Sequence, residues 1–172
     1  QLAAKGAENI QAVIQEPATQ GYIVSIPAEG EGAGASLSVA NYDRYSVNLR
    51  HLEVFDNSLP VAQSETENYL RHCATILSQR LIYLEEPLAL LELNTVDGIA
   101  QLRSSPPDNG NDQSTYWEVT VWTSPKPRAK LARYRWTAGT PERTPITYPA
   151  TFATLGRLSE DLAVSLSRQE NR

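Results

Sequence analysis

Residues 116–136 read YWEVTVWTSPKPRAKLARYRW. They hold all three tryptophans of the chain and five of its basic side chains. Apolar and polar residues alternate on both sides of SPKPR, which predicts two antiparallel strands, 115–123 and 129–137. The prolines of the connection predict an open turn and not a tight two-residue one. A period of two then sorts the side chains by face. Trp117, Val119 and Val121 fall on one side, and Tyr116, Glu118, Thr120 and Trp122 on the other. In the second strand, Lys130, Ala132, Tyr134 and Trp136 alternate with Leu131, Arg133 and Arg135. One face is apolar and belongs under helices, while the other mixes rings with cations.

The segments before this hairpin extend the same pattern. Residues 22–27, 36–40 and 45–55 read as strands. In the last, Tyr45, Val47 and Leu49 share one phase, whereas Leu52 and Val54 share another, which predicts a bulge near Arg50 and His51. Residues 29–36, EGEGAGAS, read as a glycine-rich acidic loop; their spacing is not GxGxxG, and the carboxylates would repel phosphate. Residues 88–94 and 99–104 form a hairpin around Asp97-Gly98, a pair that favours a type I′ turn. Residues 104–114 and 138–149 read as irregular loops.

Three segments have helical spacing. In residues 2–15, Ala3, Ala7, Ile10 and Ile14 make a thin stripe ended by Pro17, suited to an edge or a homodimer contact. Residues 65–84 carry a broad stripe, with Ser64 three places before Glu67 as in a capping box and Pro87 as a stop. Residues 151–167 repeat Phe152, Leu155, Leu158, Leu162 and Leu166. The order is α-β-β-β-α-β-β-β-β-α. It predicts a single α+β domain over 1–172, with a mostly antiparallel sheet of about six to seven strands and helices on one face.

Composition narrows the function classes. A chain of 172 residues can bury a core without disulfides. Apolar content of 41% is ordinary for a globular protein, and no apolar run approaches a membrane span. No signal peptide is visible, and because the first residue is not Met a removed leader stays open. One cysteine, Cys73, excludes an intrachain disulfide and points weakly to a reducing, cytoplasmic setting. With His51 and His72 it offers no short-spaced ligand pair, so neither a metal nor a cofactor is expected. Net charge is −5, with −8 in residues 1–97 and +3 in residues 98–172.

Few residues mark chemistry. Cys73 falls on the apolar stripe of its helix, as a buried structural thiol does, and His72 beside it points about 100° away. Glu85-Glu86 reads as a solvated corner, and Asp108 with Asp112 lacks the calcium-loop sequence. There is no GxSxG, HExxH, P-loop or CxxC. The mixed face of the C-terminal hairpin is the candidate binding surface: Trp122, Lys130, Arg133, Tyr134, Arg135 and Trp136. Its plain reading is that Arg and Lys stems lie across aromatic neighbours on a solvated sheet. The functional expectation is a non-catalytic binding, adaptor or chaperone-like module that recognises a protein partner there. A small enzyme pairing His51 or His72 with a carboxylate is the alternative. Single-stranded nucleic-acid binding ranks third, because the chain is acidic and carries no nucleic-acid motif.

Overall fold

The alternating segments become strands of one sheet, and the two longer apolar stripes become helices. A computed structural model of the chain describes residues 12–16, 21–30, 32–105, 108–110 and 112–168. In order, the strands are β1 (Ala12–Glu16), β2 (Gly21–Ile26), β3 (Ala33–Tyr42) and β4 (Ser46–Asp56), followed by α1 (Thr66–Arg80). Then come β5 (Leu88–Asn94), β6 (Ile99–Ser104), β7 (Asp108–Gly110), β8 (Gln113–Trp122), β9 (Arg128–Thr137), β10 (Thr144–Ile146), β11 (Tyr148–Thr151) and α2 (Phe152–Leu166). The sheet runs β1-β2-β3-β4-β9-β8-β6-β5, with β7 on β8, β10 on β9 and β11 on β4. Every pairing is antiparallel. The class is therefore α+β with a mostly antiparallel sheet, as the residue pattern predicts. Among the described residues no helix is long and apolar enough to cross a membrane.

Both helices pack on one side of the sheet. α1 turns Leu70, Cys73 and Leu77 inward, and α2 turns Leu155, Leu158 and Leu162 inward. They join Leu37, Leu52, Val54, Leu102, Val119 and Leu131 from the strands in one cluster. Each such leucine contributes roughly 1.5–3 kcal/mol by leaving water. Trp117 lies in the same layer, edge-on to Tyr148 with centroids 4.6 Å apart. Thr151 caps α2 by accepting the Thr154 amide at 3.2 Å.

The bulge expected in β4 divides the sheet. Ser38 faces His51 and Val39 faces Leu49, which leaves Arg50 as the extra residue. Val47 and Leu49 are buried before it, Leu52 and Val54 after it. β4 pairs with β9 only from Phe55↔Arg128 to His51↔Ala132. Beyond that rung the two strands part. Residues 46–49 pair with β11, and residues 133–135 pair with β10. Residues 144–151 thus run into the fork along β9 and out of it along β4. Arg50 itself reaches across to Gly21, where an added Cβ would meet its guanidinium and the Val39 carbonyl.

Several expectations need correction. Of the segment read as a first helix, residues 2–11 lie outside the described residues, while Ala12–Glu16 is a strand paired with β2. Its β-branched Val13 and Ile14 suit a strand, and the β2 edge supplies backbone partners that override the helical spacing. Residues 33–36, read as loop, are the start of β3; Gly34 belongs there because the Phe55 ring lies where a Cβ would be. Ser64 does not cap α1. It sits in a 3-10 turn, Gln63–Glu65, and the Thr66 hydroxyl donates to the Ala62 carbonyl at 3.1 Å. α1 stops at Arg80 and not at Pro87, yet Leu81 and Leu84 stay buried in the turn that follows. Short strands also occupy the two segments read as irregular, β7 in the first and β10 with β11 in the second. Pro145 and Pro149 hide the latter, because a proline fits a strand only where its missing N–H faces no partner.

The β5–β6 connection is a four-residue loop, since Asn94 pairs with Ile99. A type I′ turn needs positive φ at two central residues, and only Gly98 has it, at 67°. Asn94 holds the loop by accepting the Asp97 amide at 3.0 Å and donating to its carboxylate at 2.7 Å. A Cβ at position 98 would also collide with the Thr123 hydroxyl. Gly30 shares the positive φ, at 61°, with open space around it. Gly98→Ala is therefore expected to cost about 2–4 kcal/mol and Gly30→Ala about 1 kcal/mol. Urea unfolding of the two variants checks this, and equal losses would contradict it.

Candidate functional site

The register of β8 and β9 decides which side chains reach the face without helices. Tyr116 faces Tyr134, Glu118 faces Ala132, Thr120 faces Lys130 and Trp122 faces Arg128. These rungs share the uncovered side. Val119↔Leu131 and Val121↔Ala129 occupy the helix side. Trp136, opposite Ser114, continues the uncovered side. Of the six candidate residues, Trp122, Lys130, Tyr134 and Trp136 are thus brought together.

Arg133 and Arg135 are not. They alternate with the other four and share the parity of Leu131. Arg133 is only 6% exposed and lies over the Trp117 ring, 5.2 Å from its centroid. Its guanidinium bonds to Glu85 and to Thr115, both at 3.1 Å, and lies 3.6 Å from Glu86. Glu85-Glu86 is consequently no bare corner but the counter-charge of a buried arginine. Arg135 is exposed on the far side of β9 from Trp136.

The uncovered face has its own electrostatic centre, which the sequence reading missed. Glu118 is 3% exposed, and two guanidiniums hold it. Arg103 of β6 lies 3.3 Å from it. Arg143, from the β9–β10 connection, donates to Oε1 at 2.9 Å and to Oε2. Arg143 also stacks on Tyr134, 3.9 Å from its centroid, and Arg103 on Tyr116 at 4.4 Å. The Glu118 hydrogen bonds raise the Arg143 pKa and keep it charged. Burial raises the Tyr134 phenol, with Arg143 opposing. One signal in the sequence was available: an acid between apolar neighbours on a central strand needs a cation. Its partners lie 15 and 25 residues away, beyond any local motif.

Farther along the face, Arg128 stacks on Trp122 at 4.4 Å. Lys126 sits 5.5 Å from the Phe55 centroid and bonds to the Asn57 side chain at 2.7 Å. Glu53 stands opposite Lys130 in the β4–β9 register. Near the other end a groove of about 570 Å³ opens, lined by Ala89, Leu90 and Leu91 of β5, by Arg103, Ser104 and Ser105, and by Ser114, Tyr116 and Trp136. Leu91 and Trp136 are 55% and 40% exposed.

The histidines do not converge. His51 is on the uncovered face beside the β4 bulge, and His72 is on α1, across the sheet. Neither lines the groove beside Trp136 or the apolar cleft of about 380 Å³ between α2 and β3. Cys73 is buried, and burial pushes its thiol up to about 12. Among the described residues no three His, Cys, Asp or Glu side chains are grouped to hold a metal ion. Comparison of the chain with family models, with curated proteins and with solved structures finds no match.

Removing the Glu118 charge leaves two guanidiniums facing each other on a half-wet surface. Breaking a fully buried pair costs roughly 3–5 kcal/mol, and partial exposure of both arginines reduces this to about 1–3 kcal/mol. Glu118→Gln should lose that much in a denaturant titration. A loss below about 0.5 kcal/mol, the level of an exposed pair, would show that the cluster is ornamental.

Proposed function

We propose that this chain is a non-catalytic binding module that takes a protein partner on the uncovered sheet face, at the groove beside Trp136. The observation that carries this is the ring itself, 40% exposed in a concavity it shares with Leu90, Leu91 and Tyr116. Large amphipathic rings beside apolar side chains, with a few polar groups at the margin, make up the energetic centre of protein interfaces. Ser105, Ser114 and Arg103 supply the polar groups. Trp122, Lys130 and Tyr134 extend the same surface beyond the groove.

The competing functions have less support. General acid–base catalysis needs a titrating group within reach of a substrate in a cleft, and the groove holds no histidine. Nucleic-acid binding needs a run of cations well in excess of their counter-charges, whereas Arg103 and Arg143 share Glu118 and Lys130 stands opposite Glu53.

Capture from native extract on the immobilised chain tests this. The wild-type chain should retain a partner that Trp136→Ala loses, at a cost of about 2 kcal/mol or roughly thirtyfold in affinity. Arg135→Glu, changed on the opposite side of the same strand, should retain it. Undiminished capture by Trp136→Ala, with both variants folded by circular dichroism, would overturn the proposal.

A further inference from the structure

We infer that the partner presents an extended segment which adds as a strand to β5, sets an apolar side chain in the Trp136 groove and places a carboxylate near Arg103. This rests on the binding function proposed above and names the chemistry of its partner. β5 ends the sheet. It pairs with β6 on one side, and among the described residues no strand pairs with the other. An edge strand presents unpaired N–H and C=O groups, and proteins usually blunt such edges with proline, lysine, a bulge or a covering element; among the described residues β5 carries only the bulge, between Leu90 and Glu92. Residues 88–94, LALLELN, contain neither proline nor lysine, and Glu92 is their only charge. Residues 89–92 are all exposed.

The groove adjoins this edge directly, since Ala89, Leu90 and Leu91 line it together with Trp136. A strand laid along β5 carries alternate side chains over the groove, the arrangement by which added strands gain specificity. Charge selects the occupant further. Arg103 and Arg143 share the one carboxylate of Glu118, which leaves the cluster with an excess positive charge. Arg103 lines the groove and is about a third exposed. Ala89 faces Arg103 across the β5–β6 ladder, so a carboxylate two residues from the buried apolar side chain, on the same face of the added strand, is the one directed toward it. A second copy of this chain fits less well. The β5 ladder is interrupted between Leu90 and Glu92, so two β5 strands would have to align two bulges across a symmetry axis.

A blocked hexapeptide in which leucine and glutamate take turns at every second position, with threonine between them, places both on one face and serves as the probe; the same peptide with lysine for glutamate is the comparison. On the intact chain, the leucine–glutamate peptide should shift the Trp136 indole N–H resonance and slow amide exchange in residues 88–92 about tenfold at saturation. The lysine peptide should bind about tenfold more weakly, the worth of one charge-assisted contact. An indole shift without slowed exchange at β5 would overturn strand addition and leave the Trp136 groove as a binding site. Equal binding of the two peptides would overturn the carboxylate. Concentration-dependent protection of β5 with no peptide present would assign the edge to a second copy and overturn the inference. Trp136→Ala should abolish the binding of both peptides, and binding that survives it would overturn the groove together with the proposed function.

Discussion

The ten-rung ladder between β8 and β9 is the constraint on which the remainder depends. A strand's two faces differ by one residue, so a slip of one rung exchanges them. In the observed register, Val119, Val121, Ala129 and Leu131 all reach the core, and Trp117 is 1% exposed. A slip would put either Glu118 or Lys130 under the helices, according to which strand moves, a charge that burial penalises by several kcal/mol. The same choice sends Trp122, Lys130, Tyr134 and Trp136 outward. Packing and the candidate surface are thus two consequences of one pairing.

Arginines secure this pairing on both faces. Arg133 fills the helix side where β9 leaves β4, covering Trp117 and drawing Glu85 and Glu86 down from the segment before β5. Arg143 and Arg103 close over Glu118 on the other side. The first clamp lies where the sheet forks around residues 144–151, a place where backbone pairing changes partner and side chains must hold the strands. The second keeps Tyr116 and Tyr134 under guanidiniums, so among these aromatic residues the rings left open to solvent are those of Trp136 and, in part, Trp122. The plain expectation that basic stems lie across aromatic neighbours therefore describes the middle of this face, and the groove beside Trp136 describes its end.

The sequence carried the seven main strands and both helices, because each has a clean period of two or of three to four. It also carried the bulge at Arg50, since the apolar phase changes there from Leu49 to Leu52. What stayed hidden depends on partners far along the chain. β10 and β11 carry prolines and become strands only because the fork offers them edges. Ala12–Glu16 fits a helical stripe locally, and its pairing with β2 decides otherwise. For the site, alternation alone already placed Arg133 and Arg135 with Leu131, and grouping them with Trp136 put nearness along the chain above parity. Glu118 with Arg103 and Arg143 needed three strands' registers and a loop, which no single window contains.

Differential solvent exposure of the three indoles tests the register and the surface together. A soluble paramagnetic probe should broaden the Trp136 N–H resonance most, Trp122 less and Trp117 not at all, in keeping with exposures of 40%, an intermediate value and 1%. A protected Trp136 beside a broadened Trp117 would mean that the opposite face of this hairpin is buried, and the account would fall with it.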